Sequence, residues 1–378
     1  MICQESRVII RCSPWTERSR SLPHFRPKGV QMSYLHLISA QTQFYQLPRP
    51  FKLESGRELT GVQVAYRTWG ELNAAGDNAV LVCHALTGSA DVDDWWEPLL
   101  GEGKALDPER DLIICSNVLG SCYGTTGPTA INSETGFAYG ATFPKMTIRD
   151  MVHLQALLLE SLGVRSLELV LGGSLGGMQV LEWALLYPER VKAIAPIATS
   201  GRHSAWCIGL SEAQRQAIYA DPHWQAGNYT VEQPPAQGLA VARMIAMNTY
   251  RAWASFQERF GRESQDDQQF AIASYLQHQG IKLIERFDAN TYITLTQAMD
   301  SHDVGYQRQS YESALQSIQQ PALIVGINTD ILYPPVEQQE LADLIPNAQL
   351  LWLESSHGHD AFLIEMTILN EWIANFRN

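Results

Sequence analysis

Residues 167–191, LELVLGGSLGGMQVLEWALLYPERV, constrain the fold more than any other stretch of the chain. An apolar, strand-like run leads into a glycine-rich turn, and an amphipathic helical pattern follows until Pro188 stops it. Gly172 and Gly176 flank Ser174 in the spacing G-x-S-x-G. Small neighbours let a backbone turn sharply enough to hold a serine Oγ at the tip of a strand-to-helix elbow. The competing reading is a glycine-rich loop whose serine only caps the helix. The strand before and the helix after the motif favour the elbow.

The runs 79–83 and 112–115 are apolar without alternation, as in strands buried on both faces, whereas 62–66 alternates like a half-buried strand. Residues 147–162 predict a helix, with Thr147 as cap, Asp150 three residues on and Gly163 as stop. Strand patterns return at 193–198, where Pro196 is an awkward member, and at 321–326 and 349–353. Helical patterns follow at 336–344 and 361–376. This alternation predicts an α/β fold with a mostly parallel central sheet flanked by helices.

Between residues 201 and 319 the spacing is helical, at 211–220, 238–254, 267–278 and 290–299, with no convincing strand. The expected organisation is a core of 32–200 and 320–378 bracketing a helical lid of 201–319. Residues 1–31 are basic, with Arg7, Arg11, Arg18, Arg20, Arg26 and Lys28 against Glu5 and Glu17, and lack the apolar centre of a secretory signal. They read as a disordered tail, a weak organellar transit segment, or sequence upstream of a start at Met32.

A formal charge of -13 and a pI near 5.2 exclude a surface built to neutralise phosphates, so nucleic acid is not an expected partner. No run of about eighteen apolar residues predicts a membrane helix. The six cysteines are scattered without a C-x-x-C, which fits reduced thiols in a cytoplasmic protein and gives metal ligation no supporting spacing.

A serine hydroxyl is a weak nucleophile at neutral pH, so Ser174 needs a base within hydrogen-bond reach and an acid to orient that base. Two later loops at strand ends offer them. Asp330 follows the strand pattern 322–327, and His359 follows 349–353 within Ser356-His357-Gly358-His359-Asp360. Asp330 could instead be an ordinary turn residue, and His357 competes with His359 for the base. The backbone N–H of Leu175 is one expected donor to an oxyanion, and the loop 84–88 supplies the other from Leu86. His84 reads as a structural histidine.

Taken together, HALTGSA (84–90), NVLG (117–120), GTTGP (124–128), FPKMTIRDMV (143–152), GGSLGGMQVLEW (172–183), ARMIAMNTYR (242–251) and GHDAFLIE (358–365) resemble the homoserine O-acyltransferase family. These are α/β-hydrolase-fold enzymes of methionine biosynthesis. The match runs from about Phe44 to the C-terminus and leaves out residues 1–31. It implies that Ser174 carries the acyl group, Asp330 orients and His359 acts as base. It further implies that Arg243 holds an amino-acid carboxylate, with Asp360 near its amine. Acetyl-CoA would be the acyl donor and L-homoserine the acceptor, with no permanently bound cofactor, no metal and a homodimer built through the lid. Ser121-Cys122-Tyr123 and the stretch 328–333 depart from the family pattern near the expected pocket. Succinyl-CoA as donor, serine as acceptor, or a plain esterase or thioesterase are the alternatives left by the sequence.

Overall fold

The computed structural model describes residues 38–266 and 269–378; the basic segment 1–31 lies outside them. Among the described residues an eight-stranded sheet forms from β1 (Gln43–Gln46), β2 (Gln63–Trp69), β3 (Ala79–Cys83), β4 (Leu112–Ser116), β5 (Leu167–Gly173), β6 (Ile194–Ile197), β7 (Ala322–Ile327) and β8 (Ala348–Leu353). Its order is β1-β2-β4-β3-β5-β6-β7-β8. The β2 strand pairs antiparallel with β1 and β4, and every other pairing is parallel.

The non-alternating apolar runs have a direct explanation. Along β3, Ala79, Leu81 and Cys83 face one buried layer while Val80 and Val82 face another. A strand covered on both faces has no solvent side to mark with polar residues. Pro196 fits into β6 opposite Gly172 of β5.

The helices of the core are α1 (Ile148–Ser161), α2 (Leu175–Leu186) and, near the C-terminus, α9 (Pro335–Leu344) and α10 (Met366–Phe376). Thr147 and Asp150 close a reciprocal capping box at the start of α1, the local reason the chain turns helical there. The α2 helix is not the amphipathic surface helix its pattern suggests. Residues 175–184 are all buried, and its polar Gln179 and Glu182 are bonded inside.

Between β6 and β7 lie α3 (Ala205–Tyr219), α4 (Ala236–Tyr250), α5 (Trp253–Arg259), α6 (Ala271–Ile284), α7 (Ala289–Asp300) and α8 (Tyr311–Gln316). Arg215 on α3 pairs with Asp300 on α7 at 2.6 Å. Two details differ from the sequence pattern. A short hairpin, Ser264–Asp266 with Gln269–Phe270, precedes α6. The single helix expected over 238–254 is broken at Arg251, whose backbone is extended (φ -117°, ψ 148°). At that break the chain meets the loop before α10: a Cβ on Gly358 would lie 2.5 Å from the Ala252 nitrogen.

Candidate active site

The elbow joins β5 to α2. Ser174 has φ 59° and ψ -122°, a strained backbone for a residue with a side chain. The flanking glycines are dictated by space as well as by the turn: a Cβ at Gly176 would lie 2.1 Å, and at Gly172 2.5 Å, from the Cys83 carbonyl oxygen. The end of β3 therefore presses against the elbow. Ser174 N–H donates to Ile197 O (2.9 Å), and Thr199 Oγ1 donates to Ser174 O (2.9 Å), which hold the strained turn in place.

Asp330 lies beyond β7 and is almost fully buried. Its Oδ1 accepts from the N–H groups of Leu332 (2.8 Å) and Tyr333 (3.0 Å), which leaves Oδ2 for His359 Nδ1 at 2.7 Å. The carboxylate is thereby fixed at both oxygens. His359, beyond β8, is the histidine that meets Asp330, whereas His357 Nδ1 lies 3.4 Å from Ser255 Oγ. Burial pulls the His359 pKa down, but the charge and hydrogen bond of Asp330, with the charge of Asp360, outweigh it and raise the value above 6.5.

The rings of Tyr333, Phe362 and Tyr250 surround the His359 imidazole at 5.4, 5.6 and 5.7 Å. Phe362 also packs on the elbow, since a Cβ on Gly173 would lie 2.5 Å from its ring. Imidazole and elbow share one wall.

The loop after β3 lies against the start of α2. His84 is buried, with Nδ1 2.8 Å from Ala85 O and Nε2 accepting from Val118 N–H at 3.1 Å. Both ring nitrogens are used in the neutral tautomer, and burial lowers its pKa to about 4. Gln179 Nε2 donates to His84 O (3.4 Å) and Leu175 O (3.2 Å), so α2 and the loop are tied together. Among the described residues, neither Leu86 N–H nor Leu175 N–H finds an acceptor. Both backbone donors are left unpaired among the described residues.

Arg243 on α4 is half-buried over the Tyr250 ring, 5.3 Å from its centre, and forms no ion pair among the described residues. It lines a cavity of about 400 Å3 together with Ala85, Gly173, Arg286 and Phe362. Asp360 lies 3.3 Å from Arg251 Nε, an ion pair without hydrogen-bond alignment. Burial raises the Asp360 pKa, opposed by the charges of Arg251, His359 and Arg243. The sequence pattern missed Tyr250, Arg251 and Arg286, and it placed Tyr123 and Tyr333 near the pocket without a role. Arg251 and Tyr250 were inside a quoted motif, but only the helix break shows why they turn toward Asp360; Arg286 carried no local signal.

Among the described residues no group of His, Cys, Asp or Glu could hold a metal ion, and no helix is long and apolar enough to cross a membrane.

The α/β hydrolase fold family matches residues 78–365. The chain is 73% identical over 347 residues to the homoserine O-acetyltransferase of Nostoc punctiforme, spanning 90% of this chain and 98% of that one. Among solved structures, the homoserine O-acetyltransferase of Bacillus anthracis is similar with a TM-score of 0.83 at 26% identity, over 89% of this chain and 97% of that one. The esterase E22 is similar with a TM-score of 0.83 at 29% identity, over 89% and 99% of the two chains. An elbow serine, a buried acid–histidine pair and this degree of identity converge: the chain belongs to the homoserine O-acetyltransferase family of the α/β hydrolase fold.

Proposed function

We propose that the chain transfers an acetyl group from acetyl-CoA to the γ-hydroxyl of L-homoserine through an acetyl-Ser174 intermediate, giving O-acetyl-L-homoserine for methionine biosynthesis. The observation that carries this reading is an unpaired arginine, Arg243, in a cavity that reaches the elbow, with the Asp360 carboxylate close enough to feel its charge. An α-amino acid presents one charge of each sign, and a guanidinium offers a carboxylate a two-pronged fork.

In the first half-reaction His359 takes the Ser174 proton as Oγ attacks the thioester carbonyl. The N–H groups of Leu86 and Leu175 receive the oxyanion, and CoA leaves as its thiol with the proton returned by His359. In the second, His359 removes the γ-hydroxyl proton of homoserine as that oxygen attacks the acetyl ester, and the intermediate collapses by breaking the bond to Ser174 Oγ, which takes the proton back from His359. Asp330 holds the imidazole in the tautomer that both steps need. Transfer outruns hydrolysis because the acceptor is held beside the ester in a covered site.

The second reading, an acetyl esterase, is favoured by the likeness to esterase E22. Pairing acetyl-CoA and succinyl-CoA with homoserine and serine separates the cases. Homoserine-dependent CoA release from acetyl-CoA, lost in Ser174→Ala, is the expected result. CoA release indifferent to homoserine would establish the esterase instead, and normal transfer by Ser174→Ala would refute both.

We further propose a cytoplasmic homodimer. Its support is the exposure of Trp253 (77%) and Val241 (45%) on the inserted helices, together with free, buried cysteines. Light scattering after size-exclusion chromatography tests the dimer.

A further inference from the structure

Arg286 lies between α6 and α7, on the inserted helices, and its half-buried guanidinium forms no ion pair among the described residues. Holding such a charge without a counter-ion costs solvation energy. What it bonds instead is neutral. Nη1 donates to Thr87 O (2.7 Å) and to Tyr123 Oη (2.8 Å), and Nη2 is 3.4 Å from Thr87 Oγ1. Thr87 belongs to the tight turn of residues 85–88, closed by Gly88 N–H donating to Ala85 O at 2.9 Å. The neighbouring Phe287 is buried and packs edge-on against Tyr123 at 5.9 Å, which anchors the arginine's backbone.

We infer that Arg286 is a positioning residue that braces the oxyanion-binding turn from the inserted helices. In a planar trans peptide the Leu86 N–H points opposite to the Ala85 carbonyl. His84 and Gly88 hold that carbonyl from the core side, and Arg286 holds the Thr87 carbonyl from the insertion side. The turn is pinned at both ends, and the Leu86 N–H keeps one direction. The Arg286 guanidinium also lines the same cavity as Gly173 of the elbow, where a fixed positive charge meets developing negative charge without reorganisation. Because the turn belongs to the core and the arginine to the insertion, the oxyanion site is complete only when the inserted helices are in place.

This inference rests on the proposed role of Ser174, and the test keeps the two apart. Stopped-flow acetylation by p-nitrophenyl acetate needs neither CoA nor homoserine. It is compared in wild type, Arg286→Met, Arg286→Lys and Ser174→Ala, each checked for folding by circular dichroism and Tm, with the homoserine and acetyl-CoA KM values measured in parallel. The brace predicts that Arg286→Met slows acetylation by about tenfold to hundredfold. Both KM values should stay within about twofold, because the lost contacts act in the transition state. Arg286→Lys, which keeps the charge but cannot hold Thr87 O, Thr87 Oγ1 and Tyr123 Oη together, should recover part of the loss and stay slower than wild type. An unchanged acetylation rate in folded Arg286→Met overturns the brace, as does a loss confined to either KM, which would make Arg286 a substrate contact. If Arg286→Met does not fold, the lysine variant decides: slower acetylation with unchanged KM values supports the brace, and wild-type acetylation overturns it. A Ser174→Ala variant that still releases p-nitrophenol at the wild-type rate refutes the nucleophile itself, independently of Arg286.

Discussion

His359 must be neutral to act as a base, so activity falls as pH drops through its pKa. Because Asp330 holds that pKa above 6.5, the acid limb of the donor half-reaction should lie above the ordinary imidazole value. In Asp330→Asn only the charge of Asp360 is left to oppose burial, so the limb should move down in pH while kcat falls by about 10⁴, the scale seen when a triad acid no longer fixes the tautomer. A kcat–pH profile of both enzymes checks direction and size. The same shift affects folding: the native state binds this proton more tightly than the unfolded chain. That contribution is full below 6.5 and is lost as pH rises through the folded value. His84 has the opposite sign. With a folded pKa of about 4, its contribution is present above 6.5 and disappears as pH falls toward 4. At the acceptor side, Arg243→Ala should raise the homoserine KM by about tenfold to hundredfold, the cost of a lost charge-assisted contact of roughly 1.5–3 kcal/mol. A smaller change is expected in the donor half-reaction.

At the scale of elements, the elbow works because β3, β5 and α2 approach one another as bare backbone. Gly176→Ala places a methyl 2.1 Å from the Cys83 carbonyl, so it should destabilise the fold by about 1–3 kcal/mol or more and slow Ser174 acylation, read by urea melts and burst kinetics. The ion pair joining α3 to α7 is a second junction. Asp300→Asn leaves the mostly buried Arg215 with only Glu212, and should cost about 3 kcal/mol by the same melts. These elements were legible to different degrees. The strand–elbow–helix unit and the Thr147 cap are local patterns, written in consecutive residues. Asp330 and the histidine loop were legible because each follows a strand, and strand ends converge in a parallel sheet; position did not separate His357 from His359, which only the family resemblance did. The break at Arg251 was not, since its cause is the Gly358 loop more than a hundred positions later pressing on Ala252. Arg286 was invisible for the same reason: its partners Thr87 and Tyr123 are distant in sequence, and neither residue type nor spacing announces it. The hairpin before α6 is too short to produce a periodic signal.

For the whole molecule, the division of labour follows the chain. The sheet brings Ser174, Asp330, His359 and the 85–88 turn to one edge, while the inserted helices contribute Arg243, Arg251 and Arg286. The proposed acceptor contact through Arg243 therefore lies on the insertion, whereas the proposed nucleophile, base and acid lie on the core. One further consequence concerns sulfur. Cys83, Cys115, Cys122 and Cys207 are all free and buried, and burial pushes the thiol of each up, away from the reactive thiolate. The proposed reaction liberates CoA thiol at every turnover, and wherever an oxidant converts that thiol to its disulfide, a protein thiolate can attack one sulfur, forming a mixed disulfide and expelling the other CoA as a thiolate. Four sulfurs held as buried thiols are poor attackers in that exchange. In the native enzyme these four should therefore react slowly with a chromogenic thiol reagent, and rapidly only after denaturation. A faster reaction at any of the four would show that the interior opens far more often than its packing implies.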